Sequence, residues 1–273
     1  MRETYKLLAT DLDGTLLDSN SRLSPENLAA LKAARENGVC VVLCSGRSHN
    51  SLIGFETSLG LREPGNYGIA FNGVFVYEAD TRRVIHSVPM ANAAFLFIVR
   101  ALKTFEASMA FDTTAYIDGE LYATRMTPGL LEYANKSRVP YTVLPSFETV
   151  TCDVTKILIR GQNAYLTRVY DYMSARADGR FNVFFSFPDL LEFTAPGADK
   201  GEGLAFLAGY LGIPLSQCIA VGDFYNDIPM IKKAGLGVAV ASADPGVIAA
   251  ADYVTAATND QSAIAEVVKK FIL

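Results

Sequence analysis

The sequence predicts an α/β protein, a Rossmann-like parallel-sheet core into which an α+β cap is inserted. Three observations predict it. Short apolar runs without alternation recur at 6–10, 39–44 and 218–221, the pattern of strands buried on both faces. The first two flank a single helical segment, which is the spacing of a βαβ unit. The strand–helix alternation then gives way to hairpin-rich sequence and resumes near residue 192. With 273 residues, half of them hydrophobic, the chain is long enough to bury a substantial core.

The elements follow in order. Lys6-Leu7-Leu8-Ala9-Thr10 reads as the first strand. Ser24-Pro25-Glu26 opens a helix, with serine as N-cap and proline in the first turn, and Asn37-Gly38 closes it. Val39–Cys44 is a second buried strand that ends at Ser45-Gly46-Arg47. Ile69-Ala70-Phe71 is a third, broken by Asn72-Gly73, and Val74–Tyr77 with Val84–His86 form a hairpin. Beyond these, Ala93–Glu106 reads as a helix, and Asp118-Gly119 joins two strands as a tight hairpin turn. Val154–Ile159 is a strand and Asn163–Ala177 a helix. Phe181–Phe185 and Leu190–Phe193 are strands. The α/β alternation resumes with a helix at Gly203–Leu211, a buried strand at Cys218–Val221 ending in Gly222-Asp223, and a short helix at Ile228–Ala234. A strand at Gly237–Val240, a helix at Pro245–Ala251, a short strand at Tyr253-Val254 and a closing helix at Ser262–Phe271 complete the chain. The expected organisation is a discontinuous core, 1–83 plus 192–273, with an α+β domain over 84–191 between its halves.

Composition excludes several classes. The net charge is −5 and no Lys/Arg cluster marks a nucleic-acid footprint. No run of about 18 apolar residues is present and the N-terminal stretch Met1–Lys6 has no apolar leader, so a soluble, cytoplasmic protein without a membrane partner is expected. Cys40, Cys44, Cys152 and Cys218 form no CxxC pair, and His49 and His86 have no partner pattern; buried reduced thiols and ordinary surface or packing histidines are the expectation, not a zinc site.

Strand ends carry the chemistry. The first offers Asp11 and Asp13 in Asp11-Leu12-Asp13-Gly14-Thr15. The second offers Ser45. The last buried strand leads into Gly222-Asp223-Phe224-Tyr225-Asn226-Asp227, and Asp199-Lys200-Gly201 starts the helix before it. Parallel neighbours would bring these groups to one edge of the sheet. Carboxylates without histidines or thiols favour a hard cation, best Mg²⁺. A carboxylate can act as nucleophile, a second can move protons, and a hydroxyl and a lysine can hold phosphoryl oxygens. Each motif alone has an ordinary explanation as a turn or a helix start; four in order make coincidence untenable.

The sequence resembles the haloacid dehalogenase (HAD) superfamily of aspartate-nucleophile phosphatases, in its Cof-type branch with a large α+β cap (subclass IIB, C2 cap), through these four motifs across essentially the whole chain. The resemblance implies a Mg²⁺-dependent phosphatase of small phosphorylated metabolites, sugar phosphates among them. It implies Asp11 as nucleophile and metal ligand, and Asp13 as general acid/base with its backbone carbonyl on the metal. Ser45 and Lys200 would bind the phosphoryl group and Asp223 the metal. Asp227 would support the metal through water or orient Lys200, and Asn226 would contact the phosphate or Lys200. Gly46, Arg47 and Asn72 would line the same mouth, as ligand contacts or as structural residues. The cap would supply the leaving-group contacts. A phosphomutase shares every one of these residues and stays open; a non-catalytic binding or regulatory protein would have lost some of them. Oligomeric state, monomer or weak dimer, is not legible.

Overall fold

A computed structural model describes residues 5–106, 111–137 and 139–273; Met1–Thr4, part of the N-terminal stretch discussed above, lie outside them. The chain divides into two compact units, 1–87 with 199–273, and 88–198.

The strands, in chain order, are β1 (Leu7–Thr10), β2 (Cys40–Cys44), β3 (Tyr67–Ala70), β4 (Phe75–Glu78), β5 (Val84–Ser87), β6 (Phe111–Ile117), β7 (Glu120–Ala123), β8 (Tyr141–Val143), β9 (Lys156–Gly161), β10 (Asn182–Phe187), β11 (Leu190–Thr194), β12 (Cys218–Gly222), β13 (Leu236–Ala239) and β14 (Tyr253–Val254). The helices are α1 (Pro25–Glu36), α2 (Ile53–Ser58), α3 (Asn92–Glu106), α4 (Pro128–Ser137), α5 (Asn163–Ser174), α6 (Lys200–Tyr210), α7 (Ile228–Lys233), α8 (Pro245–Ile248) and α9 (Ala263–Phe271).

The first unit holds a sheet in the order β14-β13-β12-β1-β2-β3-β4-β5. The strands from β14 to β3 are parallel, and β4 and β5 add an antiparallel edge. The apolar runs are explained by this: Leu7, Ala9, Val42, Ile69 and Ala220 pack under Leu204 and Leu207 of α6 and Met230 of α7. The alternate residues Leu8, Val41, Leu43, Ile219 and Val221 are just as buried, so the central strands are apolar on both faces. Helix α1 starts as expected, with the Ser24 hydroxyl accepting from the Asn27 N–H and Pro25 in the first turn.

The second unit is an antiparallel-rich sheet in the order β10-β11-β9-β6-β7-β8, with Leu166, Val169 and Met173 of α5 buried. The Asp118-Gly119 hairpin forms between β6 and β7 as expected.

Several boundaries differ from expectation. Val84–Ser87, expected in the insertion, is the edge strand β5 paired to β4. Leu190–Thr194, expected to straddle the return to the core, is β11, hydrogen-bonded between β9 and β10. The first is the second arm of the expected hairpin with β4, and the second is placed by its pairing partners in the other sheet. Helices α2 and α4 and strand β8 are additional to the expected elements. Cys44 and Cys218 are buried thiols, Cys40 is half-buried, and Cys152 is exposed, contrary to expectation. His49 packs among the rings of Phe71, Phe75 and Tyr77, and His86 stacks on Phe206, as packing histidines do. Among the described residues no helix is long and apolar enough to cross a membrane.

Candidate active site

Parallel register assembles the site. Thr10 on β1 lies level with Leu43 on β2 and with Val221 on β12. One residue further, the Asp11 N–H donates to the Val221 carbonyl at 2.9 Å. Ser45 and Asp223 leave the neighbouring strands at the same edge. The chain runs outward from β1 in both directions, through β2 and β3 on one side and β12 to β14 on the other. That makes β1 the point where strand order reverses, where open α/β sheets bind ligands.

Lys200 is the centre of charge. It is fully buried at the start of α6, whose N-cap Asp199 accepts the Glu202 N–H at 2.8 Å. Lys200 Nζ donates to Asp11 Oδ1 and to Asp227 Oδ1, each at 2.5 Å. The other oxygen of Asp227 accepts the N–H groups of Asp223 and Phe224 at 3.0 and 3.1 Å. Asp227 therefore ties the lysine to the loop that carries Asp223. Burial works against the charged ammonium, but the carboxylates of Asp11 and Asp227 more than offset it and raise the Lys200 pKa. Burial pushes the Asp11 carboxyl well above the usual carboxylate range, with Lys200 opposing. Asp223 is pushed up to about 7 by burial and by the negative charge of Asp227.

The elevated acids and their donor chemistry fit a divalent hard cation. Carboxylate oxygens of Asp11, Asp223 and Asp227 lie within 4.8 Å of one another, with no nitrogen or sulfur ligand in the group. The turn after Asp13 closes directly on this cluster. Gly14 has φ +83°, and a Cβ there would stand 2.4 Å from Asp223 Oδ2, so the approach requires glycine. Thr15, fully buried, donates its hydroxyl to Asp223 Oδ1 at 2.5 Å.

Asp13 and Arg47 face each other across the mouth. Arg47 Nε and Nη2 donate to the two Asp13 carboxylate oxygens at 2.7 and 2.5 Å. The Arg47 N–H donates to the Ser45 hydroxyl at 3.2 Å, and Gly46 lies beside the Asn72 side chain. Asn226 donates its side-chain amide to Asn72 Oδ1 at 3.0 Å. Phe71, Asn72 and Gly73 all have positive φ, and this turn is bonded back to the second strand's exit: Phe71 N–H to Arg47 carbonyl and Asn72 N–H to Ser45 carbonyl, both at 3.0 Å. At Gly73 a Cβ would fall 2.0 Å from the Asp199 carbonyl oxygen, so the turn also abuts the N-cap that presents Lys200. All ten residues singled out in the sequence thus gather at one sheet edge, where the Asn226 side-chain amide donates to Asn72.

A family model for haloacid dehalogenase-like hydrolases matches residues 8–268. The chain belongs to the haloacid dehalogenase-like hydrolases. A solved haloacid dehalogenase-like hydrolase from Bacteroides thetaiotaomicron is similar, at 30% identity over 98% of this chain and 99% of that one, with a TM-score of 0.84. So is a structure from Thermotoga maritima, at 30% identity, 99% and 98% coverage and a TM-score of 0.82. Among curated proteins, Phosphatase YwpJ of Bacillus subtilis is 27% identical over 98% of this chain and all of its own length.

Two residues of this haloacid dehalogenase-like site were not singled out from the sequence. Thr15 anchors Asp223, and its place at the end of the first motif was the available signal. Phe55 lies 5.5 Å from the Arg47 guanidinium carbon, measured to its ring centroid. No local pattern marks it, because α2 was itself not expected.

Proposed function

We propose that this chain is a Mg²⁺-dependent phosphatase of small phosphorylated metabolites, acting through an aspartyl-phosphate on Asp11. The observation that carries this reading is Lys200: a fully buried ammonium 2.5 Å from Asp11, held from behind by Asp227. It steers an anion to the nucleophile and opposes the protonation that burial favours there.

In this reading Asp11 attacks phosphorus, the bond to the leaving oxygen breaks, and Asp13 gives that oxygen a proton. Asp13 then takes a proton from water, which attacks the aspartyl-phosphate, releases inorganic phosphate and regenerates Asp11. The Ser45 hydroxyl and Lys200 hold the equatorial oxygens on which transition-state charge spreads. Asp11, the Asp13 carbonyl and Asp223 would hold the metal, with Asp227 behind them through Lys200 and the loop amides. When bound there, Mg²⁺ supplies the positive charge that lets an anionic nucleophile approach an anionic phosphoryl group. Arg47, Gly46, Asn72 and Asn226 form the wall around the phosphoryl position. The inserted unit is the substrate-specificity domain, since every motif of the first unit is taken up by phosphoryl chemistry. Sugar phosphates lead the substrate classes, and the enzyme is cytoplasmic; cysteines that are all free fit a reducing compartment.

The test is phosphate release from an aryl phosphate with Mg²⁺, followed by sugar phosphates, nucleotides and cofactor phosphates. Turnover is expected to vanish with EDTA and in Asp11→Asn. Activity that survives in Asp11→Asn refutes the mechanism, and isomer formation without phosphate release refutes hydrolysis as the outcome.

A further inference from the structure

We propose that the Arg47–Asp13 pair is a latch: the guanidinium holds the Asp13 carboxylate until an incoming phosphoryl group draws it away and frees Asp13 for proton transfer. This rests on the phosphatase reading above and adds to it an order of events.

The geometry points to an exchangeable contact. Both Asp13 oxygens face the fork of Arg47, at 2.7 Å from Nε and 2.5 Å from Nη2. A carboxylate held by both oxygens in the guanidinium fork carries no proton, so donating one to a leaving group requires the pair to separate. A phosphoryl group offers the guanidinium the same two-oxygen geometry with more negative charge. The pair is within reach of a ligand, for the Arg47 and Asp13 side chains are 20% and 22% exposed.

The surroundings make the exchange a side-chain movement. The Arg47 backbone is pinned on both sides, its N–H on the Ser45 hydroxyl at 3.2 Å and its carbonyl on the Phe71 N–H at 3.0 Å. Ser45 belongs to the proposed phosphoryl pocket, so the guanidinium has only its own side-chain length to travel. Phe55 supports the guanidinium from a third direction, with its ring centroid 5.5 Å away. The latch thus couples arrival of a phosphoryl group to release of the Asp13 carboxylate, which takes up a proton from solvent once its cation has moved to the phosphoryl group and then passes that proton to the leaving oxygen.

Two measurements test it. The first is a crystal structure with Mg²⁺ and inorganic phosphate. The expected result has the guanidinium about 3 Å from a phosphate oxygen and more than about 4 Å from Asp13. A fork that stays closed with the anion in place overturns the proposal. The second is steady-state kinetics of Arg47→Met and Arg47→Lys on an aryl and an alkyl phosphate. KM should rise about tenfold or more, the loss of roughly one charge-assisted contact. The aryl-to-alkyl ratio of kcat should stay within about twofold of the wild type, because Asp13 remains able to act. If KM is unchanged, or if poor leaving groups alone lose kcat, Arg47 is a permanent brace of Asp13 and the latch is wrong. Arg47→Lys keeps the charge and serves if Arg47→Met does not fold. Failure of the phosphatase reading is recognised separately, by wild-type enzyme that turns over no phosphate ester; the phosphate-bound structure still decides the latch in that case.

Discussion

Replacing Lys200 by methionine removes the cation that two buried carboxylates share while keeping a side chain of similar length. Its Nζ is 2.5 Å from both Asp11 and Asp227, and none of the residue reaches solvent, so no water can take its place without rearrangement. Removing one partner of a buried ion pair costs about 3–5 kcal/mol. That is a large part of the roughly 5–15 kcal/mol that stabilises a typical domain. The cost should depend on pH, and its sign follows from the acids left behind. Burial raises the Asp11 pKa and Lys200 is the strongest influence opposing it, so the variant's Asp11 takes up its proton at still higher pH. A carboxyl group whose folded pKa exceeds its unfolded one binds more protons when folded, so stability falls as pH rises through the window between the two values. Asp223, pushed up to about 7 from an ordinary 3.8, contributes with the same sign in both proteins. Lys200 itself, with its pKa raised, stays charged across this window and lends the wild type its full support there. Urea unfolding in EDTA, followed by circular dichroism at pH 5 and pH 8, measures the difference. The expected deficit of Lys200→Met is about 3–5 kcal/mol at pH 8 and less than half of that at pH 5. A deficit equal at the two pH values, or below about 1 kcal/mol at both, refutes the reasoning. The same variant should lose about 10²–10³ in kcat, as removal of a preorganised oxyanion donor does.

Three further outcomes are expected. Asp13→Asn should lower kcat by about 10²–10⁴ while Mg²⁺ affinity by calorimetry stays near the wild-type value, whereas Asp223→Asn should lose Mg²⁺ binding; equal loss in both would dissolve the division between them. Gly73→Ala should destabilise the first unit by about 1–3 kcal/mol and lower kcat, because φ is +91° and the new Cβ would meet the Asp199 carbonyl at the start of α6; unchanged unfolding would show the turn to be slack. In the second unit, Lys156 Nζ is 2.7 Å from Glu192 Oε2, both side chains 2% exposed. Lys156→Met should cost about 3–5 kcal/mol in chemical denaturation, and the double variant Lys156→Met with Glu192→Leu should recover most of it; a double variant as unstable as the sum of the single ones would show that the two charges act independently.

Much of the first unit was legible because its strands are apolar on both faces and its helices carry their own start signals. Leu7–Thr10, Cys40–Cys44 and Cys218–Gly222 announced themselves this way, and so did α1 with Ser24 and Pro25. The limits of the insertion were less legible. Val84–Ser87 was legible as the second arm of a hairpin with β4, and that pairing puts it in the first sheet; Leu190–Thr194 is a short run that could join either sheet, and its hydrogen-bond partners put it in the second. Helix α4 had a readable start, since Thr127 accepts the Leu130 N–H and Pro128 follows. Helix α2 spans only six residues, too few for periodicity to register.

For the site, the sequence by itself determined which chemistry was available. Two aspartates, a serine, a lysine and a further acidic pair stand at strand exits and helix starts, and those residue types suit a hard cation and a phosphoryl group. Tertiary structure decided which of them meet. Parallel register set Asp11, Ser45 and Asp223 at one edge, from positions as far apart as residues 11 and 223. It gave Asp227 to Lys200 and to the backbone of its own loop, and Asp13 to Arg47. The physical reason is that hydrogen bonds and desolvation act between groups within a few ångströms, whatever their separation along the chain. Sequence names the donors and acceptors; only the folded sheet determines which of them are left to find one another away from water.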